Sequence, residues 1–178
     1  MTTVEQHSRP LAGRLAVAVY GLVAYAAFFG VFLYLIAFAG GFLPVKHAGS
    51  GEAGTTPLWL AVLANLGLVT LFGAQHAVMA RPRFKVWLTR LVPAAAERAT
   101  FVLAASVCLV VMYAAWQPMP QVVWEVGSPA LRTGLWAVFA SGWALVLGSS
   151  FVISHFDLFG LRQVVLNLLQ KPYTQMGF

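Results

Sequence analysis

The sequence predicts an all-α membrane protein with four transmembrane helices and two amphipathic helices lying at the bilayer surface. Three observations carry this. Of 178 residues, 60% are hydrophobic and only 9% are charged, against about 25% charged in a soluble domain. The apolar residues fall into four long runs, and the basic residues cluster beside those runs.

About 20 apolar residues are needed for a helix to cross the hydrocarbon layer. The stretches near 15–39, 57–79, 97–116 and 133–154 meet that requirement. The first follows a polar segment, residues 1–14, and greatly exceeds a signal-peptide core of about 7–15 residues, so it reads as a retained helix. A Gly-rich loop bounded by Pro44 and Pro57 separates the first two spans. "QPMPQVVWEVGSP" separates the last two and carries three prolines.

Between the second and third spans, "RPRFKVWLTRLVP" places Phe84, Trp87, Leu88 and Leu91 at i, i+3, i+4 and i+7. Pro82 suits a helix start and Pro93 a stop, so an interfacial helix is expected over about 83–92. After the fourth span, residues 155–178 begin with a second such helix. Leu158, Leu161, Val165, Leu168 and Leu169 make its apolar face, and Gln163, Asn167, Gln170 and Lys171 the opposite one.

Charge sets the direction. Arg9 and Arg14 precede the first span, five cations lie between the second and third, and Arg162 and Lys171 follow the fourth. The other two loops hold Lys46 and Arg132, each with a glutamate nearby. Cytoplasmic N- and C-termini satisfy the positive-inside rule in a multi-pass membrane protein. The net charge of +6 therefore belongs to membrane flanks and does not indicate nucleic acid. Cys108 is the single cysteine and lies in an apolar run, which excludes a disulfide framework and reads as packing.

Polar residues inside apolar helices are costly and usually face the bundle. Asn65 and His76 share one face of the second span. Gln75 points about 100° away from His76 on an ideal helix. On the fourth span Gly134, Ser141, Gly148 and His155 recur every seven residues. Such a stripe of small residues lets another helix backbone approach. In the expected topology His76 and His155 lie at similar depth near the cytoplasmic surface. Asp157 reads as a helix cap, or else as a partner of His155 or Arg162. Arg162, out of place among leucines, either snorkels to lipid phosphates or turns inward to hold an anionic group such as a carboxylate.

"FGAQHAVMARPRFK", "ERATFVLAASVCLVVMYAAWQPMPQVVWEV" and "SHFDLFGLRQV" resemble the bacterial membrane methanethiol S-methyltransferases, within the NnrU-like and isoprenylcysteine carboxyl methyltransferase-like group. The likeness runs from about Leu58 to Phe178. It implies methyl transfer from S-adenosylmethionine to methanethiol or a similar small volatile thiol, giving dimethyl sulfide. It implies of the residues only that His76, His155, Asp157 and Arg162 lie on the cytoplasmic side near where a cofactor would dock. Among them His76, His155 and Asp157 are the candidate catalytic residues, Arg162 is the candidate toward the cofactor, and no metal is expected. In that family an Arg-His-Pro-x-Tyr motif and a later acidic pair build most of the cofactor site. Neither occurs here, so the chain is expected to be the N-terminal part of such an enzyme or a shortened relative. Two other readings stand beside it. One is a non-enzymatic NnrU-like membrane protein accessory to nitrogen-oxide metabolism. The other is a haem or metal site between His76 and His155, which requires the two rings to face each other.

Overall fold

A computed structural model describes residues 10–50 and 56–174. Glu5 and Glu52, most of the polar N-terminal segment, the middle of the first loop and the last four residues lie outside the described residues. The elements are α1 (Leu11–Gly40), α2 (Leu58–Met79), α3 (Pro82–Leu88), a 3-10 turn (Ala94–Ala96), α4 (Glu97–Ala115), α5 (Pro129–Ile153), α6 (His155–Leu158) and α7 (Leu161–Leu168).

Four of these, α1, α2, α5 and α4 with its 3-10 turn, are long and apolar enough to cross a membrane. Prolines punctuate them. Pro57 and Pro93 stand just before α2 and the 3-10 turn, while Pro82 and Pro129 open α3 and α5. Proline suits these places because its fixed φ starts a helix and the first turn lacks a partner for its N–H anyway. Gly41 closes α1 in the left-handed conformation, φ 62°, its N–H returning to the Ala37 carbonyl.

α4 is the centre of the molecule, packed between α1 and α2. Its Leu109, Met112 and Tyr113 form a buried cluster with Phe38 of α1, against which Leu68 and Phe72 of α2 also pack. Polar bonds pin this core. Tyr113 donates to the Val31 carbonyl (3.1 Å). Asn65, buried on α2, donates to the Gln117 carbonyl (2.9 Å) and accepts from the Gln117 N–H (2.8 Å). These two hydrogen bonds tie the chain just after α4 to α2 and satisfy both backbone groups of Gln117.

Two expectations are corrected here. α5 contributes no buried residue, and Cβ atoms added at Gly134 or Gly148 would meet nothing within 4 Å. The small-residue stripe therefore does not seat a neighbouring helix; it faces the surroundings. α7 is the second correction. Its Gln163 and Val164 are buried and lie on α1 and the 3-10 turn, while Val165 and Leu169 are about half exposed. Gln163 and the half-buried Asn167 thus turn inward beside Val164, while Gln170 and Lys171 of the expected polar face are exposed together with Val165 and Leu169. Inward, Gln163 Nε2 finds the Asp157 carboxylate, and outward an apolar surrounding accepts Val165 and Leu169. The helix after Arg81 also ends at Leu88, short of the expected 92; its last residues continue as turns.

Candidate functional site

The end of α5 is an abrupt break. Ser154 adopts φ 136°, a conformation that L-residues avoid, and α6 begins with the next residue. Its carbonyl accepts the N–H groups of Asp157 (3.1 Å) and Leu158 (2.9 Å), so the break closes directly into a helical turn. The consequence is that His155 is folded back against α1, with 3% of its surface exposed.

Both nitrogens of His155 are engaged. Nε2 lies 2.8 Å from the Tyr25 hydroxyl and Nδ1 lies 2.8 Å from Ser150 Oγ. Ser150 already donates its proton to the Leu147 carbonyl at 2.6 Å. It can therefore only accept from the imidazole, which puts the ring proton on Nδ1 and leaves Nε2 to accept from Tyr25. Phe151 stacks on the ring at 4.2 Å, and Phe159 stands 4.8 Å away. Burial among these rings holds the His155 imidazole below its ordinary pKa, because the charged form loses solvation.

Asp157, also buried, is the hub of a second group. Arg162 Nη1 is 3.2 Å from Oδ2, while Gln163 Nε2 (2.8 Å) and the Tyr173 hydroxyl (3.0 Å) donate to Oδ1. Gln163 Nε2 also reaches the Asp157 carbonyl at 3.0 Å. The Arg162 guanidinium lies 5.7 Å from the Tyr173 ring centre. Tyr173 titrates above its ordinary range, first because of burial and then because of its bond to Asp157 and that group's charge. Asp157 caps no helix, since it lies inside α6 and its carboxylate bonds forward into α7 and beyond. The carboxylate expected as a partner for Arg162 is thus the chain's own.

Gly160 joins α6 to α7. Its φ of 85° and the approach of Ala99 N, 2.8 Å from where a Cβ would stand, both require glycine. Arg14 then donates to the Leu168 carbonyl (2.8 Å), a cation at the C-terminus of α7.

His76 belongs elsewhere. Its Nδ1 lies 3.3 Å from the Phe72 carbonyl, and its ring meets Phe72 and Phe101 at 4.3 and 5.1 Å, between α2 and α4. Gln75 faces α4 as well, with Nε2 3.5 Å from the Phe101 carbonyl and 3.1 Å from Met79 Sδ. The structure therefore gathers His155, Asp157 and Arg162 at the α5–α7 end, while His76 stands at another interface. Tyr25 and Ser150 are the residues sequence reasoning missed. The available signal was weak: a tyrosine and a serine inside apolar helices, each needing a partner.

S-adenosylmethionine would need acceptors for its amino and ribose groups and donors for its carboxylate. Among the described residues the Asp157 oxygens and both His155 nitrogens are already bonded within the chain. Two buried atoms on α7, Gln163 Oε1 and Asn167 Nδ2, have no partner among the described residues. Two atoms one turn apart do not make a nucleoside site, so the described residues by themselves do not fit the group.

Four helices long and apolar enough to span a membrane, with Tyr25, His155, Asp157 and Arg162 gathered at the α5–α7 end, define a multi-pass α-helical membrane protein. The chain is 47% identical over 165 residues to a methanethiol S-methyltransferase of Mycobacterium tuberculosis, covering 93% of this chain and 67% of that protein. It is 45% identical over 159 residues to methanethiol S-methyltransferase 1 of Bradyrhizobium diazoefficiens, covering 89% of this chain and 55% of the relative. Human nurim matches at 31% over 117 residues, covering 62% and 44% respectively. No family model and no solved structure matches. The chain belongs to the methanethiol S-methyltransferase family. It spans between 55% and 67% of the length of these methyltransferase relatives.

Proposed function

We propose that the protein is a bacterial inner-membrane S-methyltransferase, moving a methyl group from S-adenosylmethionine to methanethiol or a similar small thiol and releasing dimethyl sulfide. The observation that carries this is the 47% identity, over 93% of the chain, to a relative bearing that name. The positions of the cations support a topology with both termini in the cytoplasm, which would put His155 and Asp157 at the cytoplasmic surface.

The residues support a proton-handling part in such a reaction. A thiol is a weak nucleophile until its proton leaves, and a neutral imidazole can take that proton. His155 is held neutral by burial, with Nε2 as the free base and Tyr25 bonded to it. In this reading the thiol S–H bond breaks toward the Tyr25 oxygen as the Tyr25 proton passes to Nε2. Ser150 then holds the imidazolium by its Nδ1–H. Asp157 is a positioning residue that ties α6 to α7, and His76 takes no part.

The test is expression of the whole coding region in a host that makes no dimethyl sulfide. Membranes would then receive methyl-labelled S-adenosylmethionine and methanethiol. Labelled dimethyl sulfide in the headspace is the expected result; its absence from membranes that contain the folded protein would end this reading.

A further inference from the structure

A continuous aromatic seam runs along the line where α5 leans on α1. On α5, Trp136, Phe139 and Trp143 fall at i, i+3 and i+7, with successive ring centroids 5.3 and 6.1 Å apart. Trp143 meets Phe32 of α1 edge-on at 5.6 Å, and Phe32 stands 5.8 Å from Phe28. Phe28 stacks on Phe159 at 4.0 Å, and Phe159 lies 4.8 Å from His155. No gap longer than a ring contact separates Trp136 from the imidazole.

At its far end the seam opens into a groove of about 380 Å³, lined by Ile36, Phe42, Trp136, Phe139, Ala140 and Trp143, without polar surface. From Tyr25 to Ile36 is 11 residues of helix, about 16 Å along α1. The groove and the His155 cluster therefore lie well apart along the span and share one wall.

We propose that this seam is a lateral intramembrane path for a small apolar sulfur compound, a volatile thiol or dialkyl sulfide, between the bilayer and His155. This rests on the methyltransferase reading for the identity of the compound, but not for the existence of the path. Three features favour that occupant. Divalent sulfur makes favourable contacts with aromatic ring edges, and the walls offer ring after ring. α5 buries no residue of its own, so ring contacts rather than a packed core are what must part for a small solute to pass. The path also ends on the base that a thiol would need.

Dimethyl selenide serves as the probe, because its heavy atom quenches tryptophan fluorescence and its shape matches dimethyl sulfide. Titrated into the full-length protein in nanodiscs, it is expected to quench saturably, with Trp143→Phe removing much of the saturable part. Ala140→Phe fills the groove and should weaken the apparent affinity at least tenfold. Val138→Phe adds the same ring to an outward position of α5, 71% exposed at Val138, and should leave it unchanged. Linear quenching in the wild-type protein, equal to simple partition into lipid, would mean that acyl chains fill the groove, and would overturn the proposal even if Ala140→Phe did not fold. Saturable quenching in a protein that forms no dimethyl sulfide would leave the path standing and remove the methyltransferase reading. Methyl transfer with an unchanged methanethiol KM in Ala140→Phe would do the reverse.

Discussion

The Tyr25 hydroxyl lies 2.8 Å from His155 Nε2, joining α1 to α6 across 130 residues of chain. Because Ser150 Oγ donates to the Leu147 carbonyl, the tautomer of His155 is set from the opposite side of the ring. Tyr25→Phe keeps the aromatic ring beside Phe159 and deletes only the O–H. A lost hydrogen bond of this kind costs about 1 kcal/mol. If the tyrosine relays the thiol proton, the rate falls by about 10²-fold or more. The expected outcome is a near-normal thermal midpoint with greatly reduced dimethyl sulfide formation. A variant as active as the wild type would remove Tyr25 from the chemistry.

Acid should loosen the same end of the bundle. His155 in the folded protein titrates below its ordinary value because burial penalises the charged ring. The unfolded chain, with an imidazole pKa near about 6.5, then binds more protons at mildly acid pH than the folded one. The sign is that stability is fully present above about pH 6.5 and declines as pH falls toward the depressed folded-state value. Melting curves followed by tryptophan fluorescence at pH 7.5 and 5.0 should show the loss, and His155→Gln should flatten it. An unaltered acid slope in His155→Gln would assign the effect to other groups.

The four spans were legible because 20-odd apolar residues in a row favour the bilayer, and Pro57 and Pro82 marked where α2 and α3 begin, whereas α5 starts at Pro129, ahead of the expected 133. The shared face of Asn65 and His76 was legible too, and both turn toward α4. What periodicity does not contain is the direction in which a face points. α7 has the amphipathic pattern of a surface helix, yet the pair it buries is Gln163 and Val164, one from the polar side and one from neither expected face, because the bond of Gln163 to Asp157 sets how the helix is turned. The seven-residue stripe on α5 failed for a related reason, since small residues permit close packing but do not compel it. The pairing of Tyr25 with His155 depends on the reversal at Ser154, and nothing local in the sequence marks a serine that will take φ 136°.

Gly160 and Gly142 should respond oppositely to the same change. At Gly160 an added Cβ meets backbone at 2.8 Å under a φ of 85°, whereas at Gly142 it meets nothing within 4 Å. Gly160→Ala should therefore cost more than about 1–2 kcal/mol, the price of the left-handed conformation alone. It should also lift α6 and α7 from the start of α4. Gly142→Ala should be neutral or slightly stabilising, since alanine favours helix by about 1 kcal/mol. Thermal midpoints, with limited proteolysis across 154–174, would separate the two; equal effects would mean that Gly160 is not under constraint.

Asp157 should matter more than Arg162, although the two form an ion pair. The carboxylate is 3% exposed and the guanidinium 38%, so much of the pair's attraction is screened on the arginine side. Arg162→Gln leaves Asp157 with two neutral donors, Gln163 and Tyr173, and should destabilise by less than about 1 kcal/mol. Asp157→Ala removes the acceptor shared by Arg162, Gln163 and Tyr173 and leaves the buried Gln163 amide only the backbone carbonyl of residue 157 and the Tyr173 hydroxyl; losing hydrogen bonds to a buried carboxylate costs about 1–3 kcal/mol. The raised titration of Tyr173 gives a second readout. Its bond to the carboxylate contributes stability below about pH 10 that is lost as pH rises through the raised folded-state value. Asp157→Ala should move the Tyr173 titration down toward the ordinary range, followed by ultraviolet absorbance against a Tyr173→Phe control. If Arg162→Gln proves the more damaging change and Tyr173 titrates as before in Asp157→Ala, then the arginine, not the carboxylate, organises this end of the protein.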